Sequence, residues 1–216
     1  MKTHQIKLFW EWFYCNEITL RTLRTQDAKI QKVFIYWLDR HLQNYYEELD
    51  CIIMFPEKSD DKLQLVISAN GNPKYFDQVI TLAEQAPQFR HWKIIPFIQP
   101  SKDIDQMEAG LDKPYVFKDI ILKASELKFM PLEYENEKKI DMIVYLKDFT
   151  VHCKNKNLLQ VVFIIMQDLL GEKALFQNIN FVELAQMPEQ EENELIHLYE
   201  LQFYLDEINK RDSQTQ

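Results

Sequence analysis

Apolar and polar positions recur along this chain with two different periods, and the changes of period mark its elements. Ile30, Val33, Phe34, Trp37, Leu38 and His41 follow the three-to-four spacing of a helix face, and Asp27 stands where such a helix needs a cap. Two short runs rich in branched residues come next, "CIIMF" at 51–55 and "LQLVISA" at 63–69. They read as strands joined across the polar "PEKSDDK" loop. The helical period returns from Pro73 to about Gln85, and Pro87 ends it. "WKIIPFI" at 92–98 is then a strand, and Pro96 places it at a sheet edge or at a bulge.

The same order comes round again. "ELKFMPLEY" at 126–134 and "KIDMIVYLK" at 139–147 read as two strands across the short turn "ENEK". "NLLQVVFIIMQDLLGE" at 157–172 is a strongly apolar helix with Gly171 positioned to stop it, and "INFVEL" at 179–184 is a closing strand. Strand–strand–helix–strand thus occurs in two halves, about 27–100 and 115–186. Between them the polar "QPSKDIDQMEAGLDKP" at 99–114 reads as a linker with one helical turn. A C-terminal helix is expected over about 189–209, with "KRDSQTQ" as a fraying tail. The expected fold is α+β, a single domain over 1–216 built as a pseudo-repeat with additional N- and C-terminal helices.

Composition narrows the function classes. Of 216 residues, 46% are hydrophobic and 13% aromatic, enough for a packed core. The formal charge of −9 argues against a nucleic-acid footprint, which needs Lys and Arg, and against anionic membrane surfaces. The longest apolar segment, Leu158 to Leu170, is interrupted by Gln160, Gln167 and Asp168 and falls short of the roughly 20 residues of a membrane span. Glu11 inside the apolar N-terminal stretch, with no small-residue cleavage site after it, does not fit a signal peptide. Cys15, Cys51 and Cys153 are odd in number and never in C-x-x-C spacing. They fit a reducing, cytoplasmic compartment and provide neither a disulfide framework nor a zinc site.

"ISANGN", the spaced F, V, L, AP, W and PF that follow it, and the later "LLGE" before a strand resemble an uncharacterised bacterial family of unknown function. The resemblance covers about Leu63 to Leu184. It implies a bacterial origin and agrees with the domain reading, and it carries no activity, cofactor or catalytic residue.

Candidate chemistry is sparse. The corner "SANGNP" brings Asn70, Gly71 and Asn72 to a strand–helix junction, where glycine accepts positive φ, asparagine bonds the turn and Pro73 suits a first helical position. The chain holds only Gly71, Gly110 and Gly171 and has no G-x-G-x-x-G or P-loop motif, which argues strongly against dinucleotide and P-loop folds. A structural corner is the main reading. The alternative is a small-molecule or anion-binding protein, or an enzyme, with its site at the corner loops 69–73 and 147–157, the second loop supplying His152 and Lys154. His152 and Cys153 are adjacent and point apart in an extended segment, so they make no nucleophile–base pair. Glu126, Glu133 and Asp141 stand out from the other carboxylates in nothing. No metal ligand set, cofactor or catalytic residue is assigned.

The terminal segments say more. Leu195, Leu198, Leu201, Leu205 and Ile208 form one stripe of the last helix, and Ile196, Tyr199 and Phe203 form a second, nearly opposite. "FWEWFY" at 9–14 puts Trp10 and Phe13 on one side and Trp12 on another. A helix apolar on more than one face is buried or meets a partner. The expectation is a non-enzymatic cytoplasmic interaction or regulatory protein, with a protein partner or a homodimer engaged through Trp10, Trp12, Phe13, Tyr199 and Phe203.

Overall fold

Asp27 does what its position suggests: its Oδ1 accepts the N–H groups of Lys29 and Ile30, each at 2.9 Å, and starts helix α2 (Ala28–Tyr45). In the computed structural model, which describes residues 2–56, 61–101, 103–132, 139–189 and 194–214, the chain divides into two compact units, Met1–Ile98 and Gln99–Gln216. Lys and Arg balance Asp and Glu within the first, so the whole formal charge of −9 falls on the second.

The first unit opens with α1 (Lys2–Arg21), and a 3-10 turn at Leu23–Thr25 leads into α2. Strands β1 (Asp50–Met54) and β2 (Leu63–Ser68) pair antiparallel, with Asp50 opposite Ser68. A 3-10 turn at Pro73–Tyr75 and helix α3 (Phe76–Glu84) then lead to β3 (Trp92–Pro96), which pairs parallel with β2. The sheet order is β1-β2-β3, so Pro96 lies on an edge strand, where its missing N–H is tolerated. Phe9, Phe13 and Leu20 of α1, Leu38 and Leu42 of α2, Leu65 and Ile67 of β2, and Leu82 of α3 are fully buried. The Trp10 indole N–H donates to the Leu82 carbonyl at 3.0 Å and ties α1 to α3. Helix α2 is rotated from its expected face. Leu38, Leu42 and Tyr45 are buried, while Val33 and Trp37 are exposed.

The second unit begins with α4 (Ile104–Glu108) and a hairpin of β4 (Tyr115–Phe117) and β5 (Ile120–Leu122). Its main sheet has β6 (Lys128–Leu132) antiparallel to β7 (Ile140–Leu146). Helices α5 (Phe149–His152), α6 (Leu158–Leu170) and α7 (Glu172–Asn178) precede β8 (Ile179–Gln186), which pairs parallel with β7. Strand β9 (Ile196–His197) pairs antiparallel with β6, a 3-10 turn at Leu198–Glu200 follows, and α8 (Leu201–Gln214) ends the chain, for a sheet order of β8-β7-β6-β9. The core packs α6, through Val161, Val162, Ile165 and Met166, with Phe129, Met142 and Val144 of the sheet. In both units, then, an antiparallel strand pair is followed by helix and by a third strand parallel to the second.

The α+β class holds, and three local expectations change. The β4–β5 hairpin and α7 were not legible in the sequence. The last helix starts at Leu201, because Ile196 and His197 extend to pair with Phe129 and Lys128. Gly171, with φ of 75°, ends α6 as expected, yet it also opens α7 directly. The turn "ENEK", Glu133, most of "EQEENE" and half of "PEKSDDK" lie outside the described residues. Among the described residues, no helix is long and apolar enough to cross a membrane.

Candidate functional site

Helix α1 has apolar side chains on opposite faces. Successive residues turn by about 100°, so Phe9, Phe13 and Leu20 share one face and enter the core. Leu8, Tyr14 and Ile18 fall on the other side and are 44%, 69% and 68% exposed. Leu8 and Tyr14 stand about 120° apart around the helix, with Ile18 between them, and large apolar groups left in water over such an outer surface are the local signature of a contact surface.

Two clefts border this outer face. One, of about 610 Å³, runs between α1 and the end of α3, lined by Ile6, Trp10, Tyr14, Gln85 and Pro87. The other, of about 360 Å³, runs between α1 and α2, lined by Gln5, Leu8, Trp12, His41 and Asn44. Glu11 and Cys15 line both, so they form the crest between them. Lys7 and Glu11 make an exposed ion pair at 3.6 Å on this crest, a contact of small energetic weight in water.

The α2 side of the crest carries a run of rings. Trp12 stacks on His41 with centroids 4.9 Å apart, Trp37 lies 6.2 Å from His41, and Tyr36 lies 5.3 Å from Trp37. Burial pushes the His41 pKa down, so the imidazole in this run is neutral at neutral pH.

The residues expected at an interface divide. Trp10 and Phe13 are 4% and 0% exposed, packed edge-on at 5.7 Å with Phe89 and Trp92 nearby, and so are unavailable to a partner. The core of the first unit claims them because they sit on the same helix face as Phe9 and Leu20. Trp12 is half-buried and borders the smaller cleft. In the second unit Tyr199 is half-buried and stacked on His197 at 4.9 Å, while Phe203 of α8 is exposed. Leu198, Leu201 and Leu205 are core, so the two stripes read from the sequence differ in fate. Leu8, Ile18 and Tyr36 were not singled out in the sequence, Tyr14 entered only as the end of "FWEWFY", and Trp37 was read as part of the apolar face of its helix. The available signal was the lack of an uninterrupted polar face from Leu8 to Ile18.

The corner residues have local partners. Asn70 and Gly71 take φ of 51° and 73°, and the Asn72 N–H donates to the Ala69 carbonyl at 3.0 Å, closing a two-residue turn. Asn70 Nδ2 donates to the Glu48 carbonyl, and Asn72 Oδ1 accepts the Lys74 N–H, each at 3.2 Å. The Tyr75 hydroxyl donates to Glu48 Oε1 at 2.6 Å, so a carboxylate already faces this corner. Asn70, Gly71 and Asn72 belong to the first unit, His152 and Lys154 to the second. His152 is half-buried at the end of α5 and Lys154 is exposed. The loop around them is fastened by Asn155 Nδ2, 3.0 Å from both Asp119 carboxylate oxygens, and by Lys118 Nζ donating to Asn157 Oδ1 at 3.0 Å. Among the described residues, no group of three or more His, Cys, Asp or Glu side chains is placed to hold a metal ion.

Comparison of the chain with protein-family models gave no match, and comparisons with curated proteins and with solved structures gave none either.

Proposed function

We propose that this chain is a non-enzymatic cytoplasmic interaction protein that works through protein contacts, and that the outer face of α1 meets the same face of a second copy. The observation that carries the reading is the exposure of Leu8 and Tyr14 at the two clefts that flank the crest and of Ile18 between them. A crest flanked by grooves is complementary to itself: under a twofold axis the crest of one copy enters a groove of the other, as helix ridges do in packed pairs. Charge favours the same pairing. The first unit has no net formal charge, so two such units approach without repulsion, whereas second units at −9 repel each other.

Light scattering across a dilution series tests this on the wild type and on the double variant Leu8→Lys/Ile18→Lys. The expected result is a wild-type dimer and a monomeric variant with unchanged circular dichroism and tryptophan emission. A wild type that stays monomeric at every concentration overturns the self-pairing.

A further inference from the structure

A second site lies in the other unit, where three carboxylates border one cleft. The cleft measures about 510 Å³, and Asp103, Asp112 and Asp168 line it together with Tyr115. They come from distant parts of the sequence: Asp103 just before α4, Asp112 just before the β4–β5 hairpin, and Asp168 near the end of α6. We propose that this cleft binds an organic cation, an ammonium or guanidinium group carried on an alkyl chain.

Asp112 is the most telling member. It is only 6% exposed, its Oδ2 accepts the Ser125 N–H at 3.3 Å, and its buried Oδ1 has no hydrogen-bond partner. An unpartnered carboxylate oxygen taken out of water costs free energy, and the field of a cation held in the cleft beside it offsets that cost. Asp168 is held in place from two sides. Its Oδ2 accepts the Tyr115 hydroxyl at 2.6 Å, and its carbonyl accepts the Ser101 N–H at 2.6 Å. The cleft is therefore a built arrangement with a fixed carboxylate. Burial first, then the bond to Asp168 and the fields of Asp168, Asp112 and Asp103, hold the Tyr115 hydroxyl protonated far above its ordinary range, and the three carboxylates outnumber Lys113, the cation among the lining residues.

The size and lining select the class of cation. The carboxylates do not converge as a metal ion requires, and the space exceeds what a bare ion fills. Met107, Leu111 and Pro114 supply apolar wall for an alkyl stem, and the charge of the second unit raises the local concentration of cations around it. A free polyamine and a Lys or Arg side chain of a basic peptide share this chemistry.

Isothermal titration calorimetry on the full chain at low salt tests the site, with spermidine, an arginine-containing peptide and magnesium chloride at matched ionic strength. Two variants accompany the wild type: Asp168→Asn, and Asp103→Asn at an exposed position that leaves packing untouched. One saturable site is expected, weakened about ten-fold or more by each variant, as loss of one charged hydrogen bond implies, and not reproduced by magnesium. Tighter binding of spermidine identifies a free amine as the ligand, and tighter binding of the peptide identifies a basic segment of another protein. Absence of binding by both probes overturns the proposal. So does binding unchanged in both variants, or binding that magnesium matches.

Discussion

The Trp12 indole lies flat against the His41 imidazole, 4.9 Å between centroids and 20° between planes, joining α1 to α2 at the rim of the smaller cleft. Burial depresses the His41 pKa below its ordinary 6.5. The unfolded chain therefore takes up this proton more readily than the folded one. The contribution is fully present above pH 6.5 and is lost as pH falls through 6.5 to the depressed folded value. An NMR titration of the His41 ring should show a midpoint below 6.5, and Trp12→Ala should move it back toward 6.5 by admitting water. A midpoint that Trp12→Ala leaves in place would show that other groups do the desolvation.

Two phenylalanines expected at one interface should behave oppositely. Phe13 is fully buried among Trp10, Phe89 and Trp92, so Phe13→Ala should cost about 3–5 kcal/mol in urea unfolding and shift tryptophan emission to the red. Phe203 is 57% exposed on α8, and Phe203→Ala should change stability by no more than about 0.5 kcal/mol.

Asp39 is a built-in liability near neutral pH. Burial and the neighbouring Asp50 raise its pKa above the ordinary 3.8. A carboxyl whose folded pKa lies above its unfolded one stabilises the fold at low pH. That contribution is lost as pH rises through the window from 3.8 to the raised value. Asp39→Asn should accordingly raise the melting temperature at pH 7 and leave it unchanged near pH 3, as followed by circular dichroism.

The three thiols should separate by reactivity. Cys15 and Cys153 are exposed, whereas Cys51 exposes part of its residue but keeps its sulfur deep, and burial with Asp39 and Asp50 pushes its pKa well up. Mass spectrometry after brief alkylation at neutral pH should find Cys15 and Cys153 labelled and Cys51 labelled only in denaturant. Because Cys15 stands on the α1 crest, its labelling should slow at high protein concentration while that of Cys153 does not. Equal concentration dependence at both sites would place the self-contact elsewhere.

Local physics was legible in the sequence wherever one residue decides the backbone. Asp27 caps α2, Gly171 ends α6, Asn70 and Gly71 make the turn after β2, and Pro96 marks an edge strand. The apolar run from Leu158 to Leu170 is a helix of the expected extent, since an apolar segment of that length, broken only by Gln160, Gln167 and Asp168, suits a helix buried over most of its surface. Strand pairs at 51–55 with 63–69, and at 126–134 with 139–147, were likewise readable from their branched residues, and their antiparallel sense follows from the polar links between them.

Only the tertiary structure decided which of two apolar faces a helix buries. Periodicity defines a face of α1 or α2 but not the neighbour it meets, so Phe13 enters the core while Ile18 meets water, and Leu38 enters while Trp37 does not. It also decided that Ile196 and His197 extend as a strand, because pairing with Phe129 and Lys128 outweighs a helical pattern that any local window would favour. The cleft of Asp103, Asp112 and Asp168 had no signature in the chain at all. Its carboxylates lie on separate elements, and such convergence is a product of packing, which acts across sequence distances that local patterns do not encode.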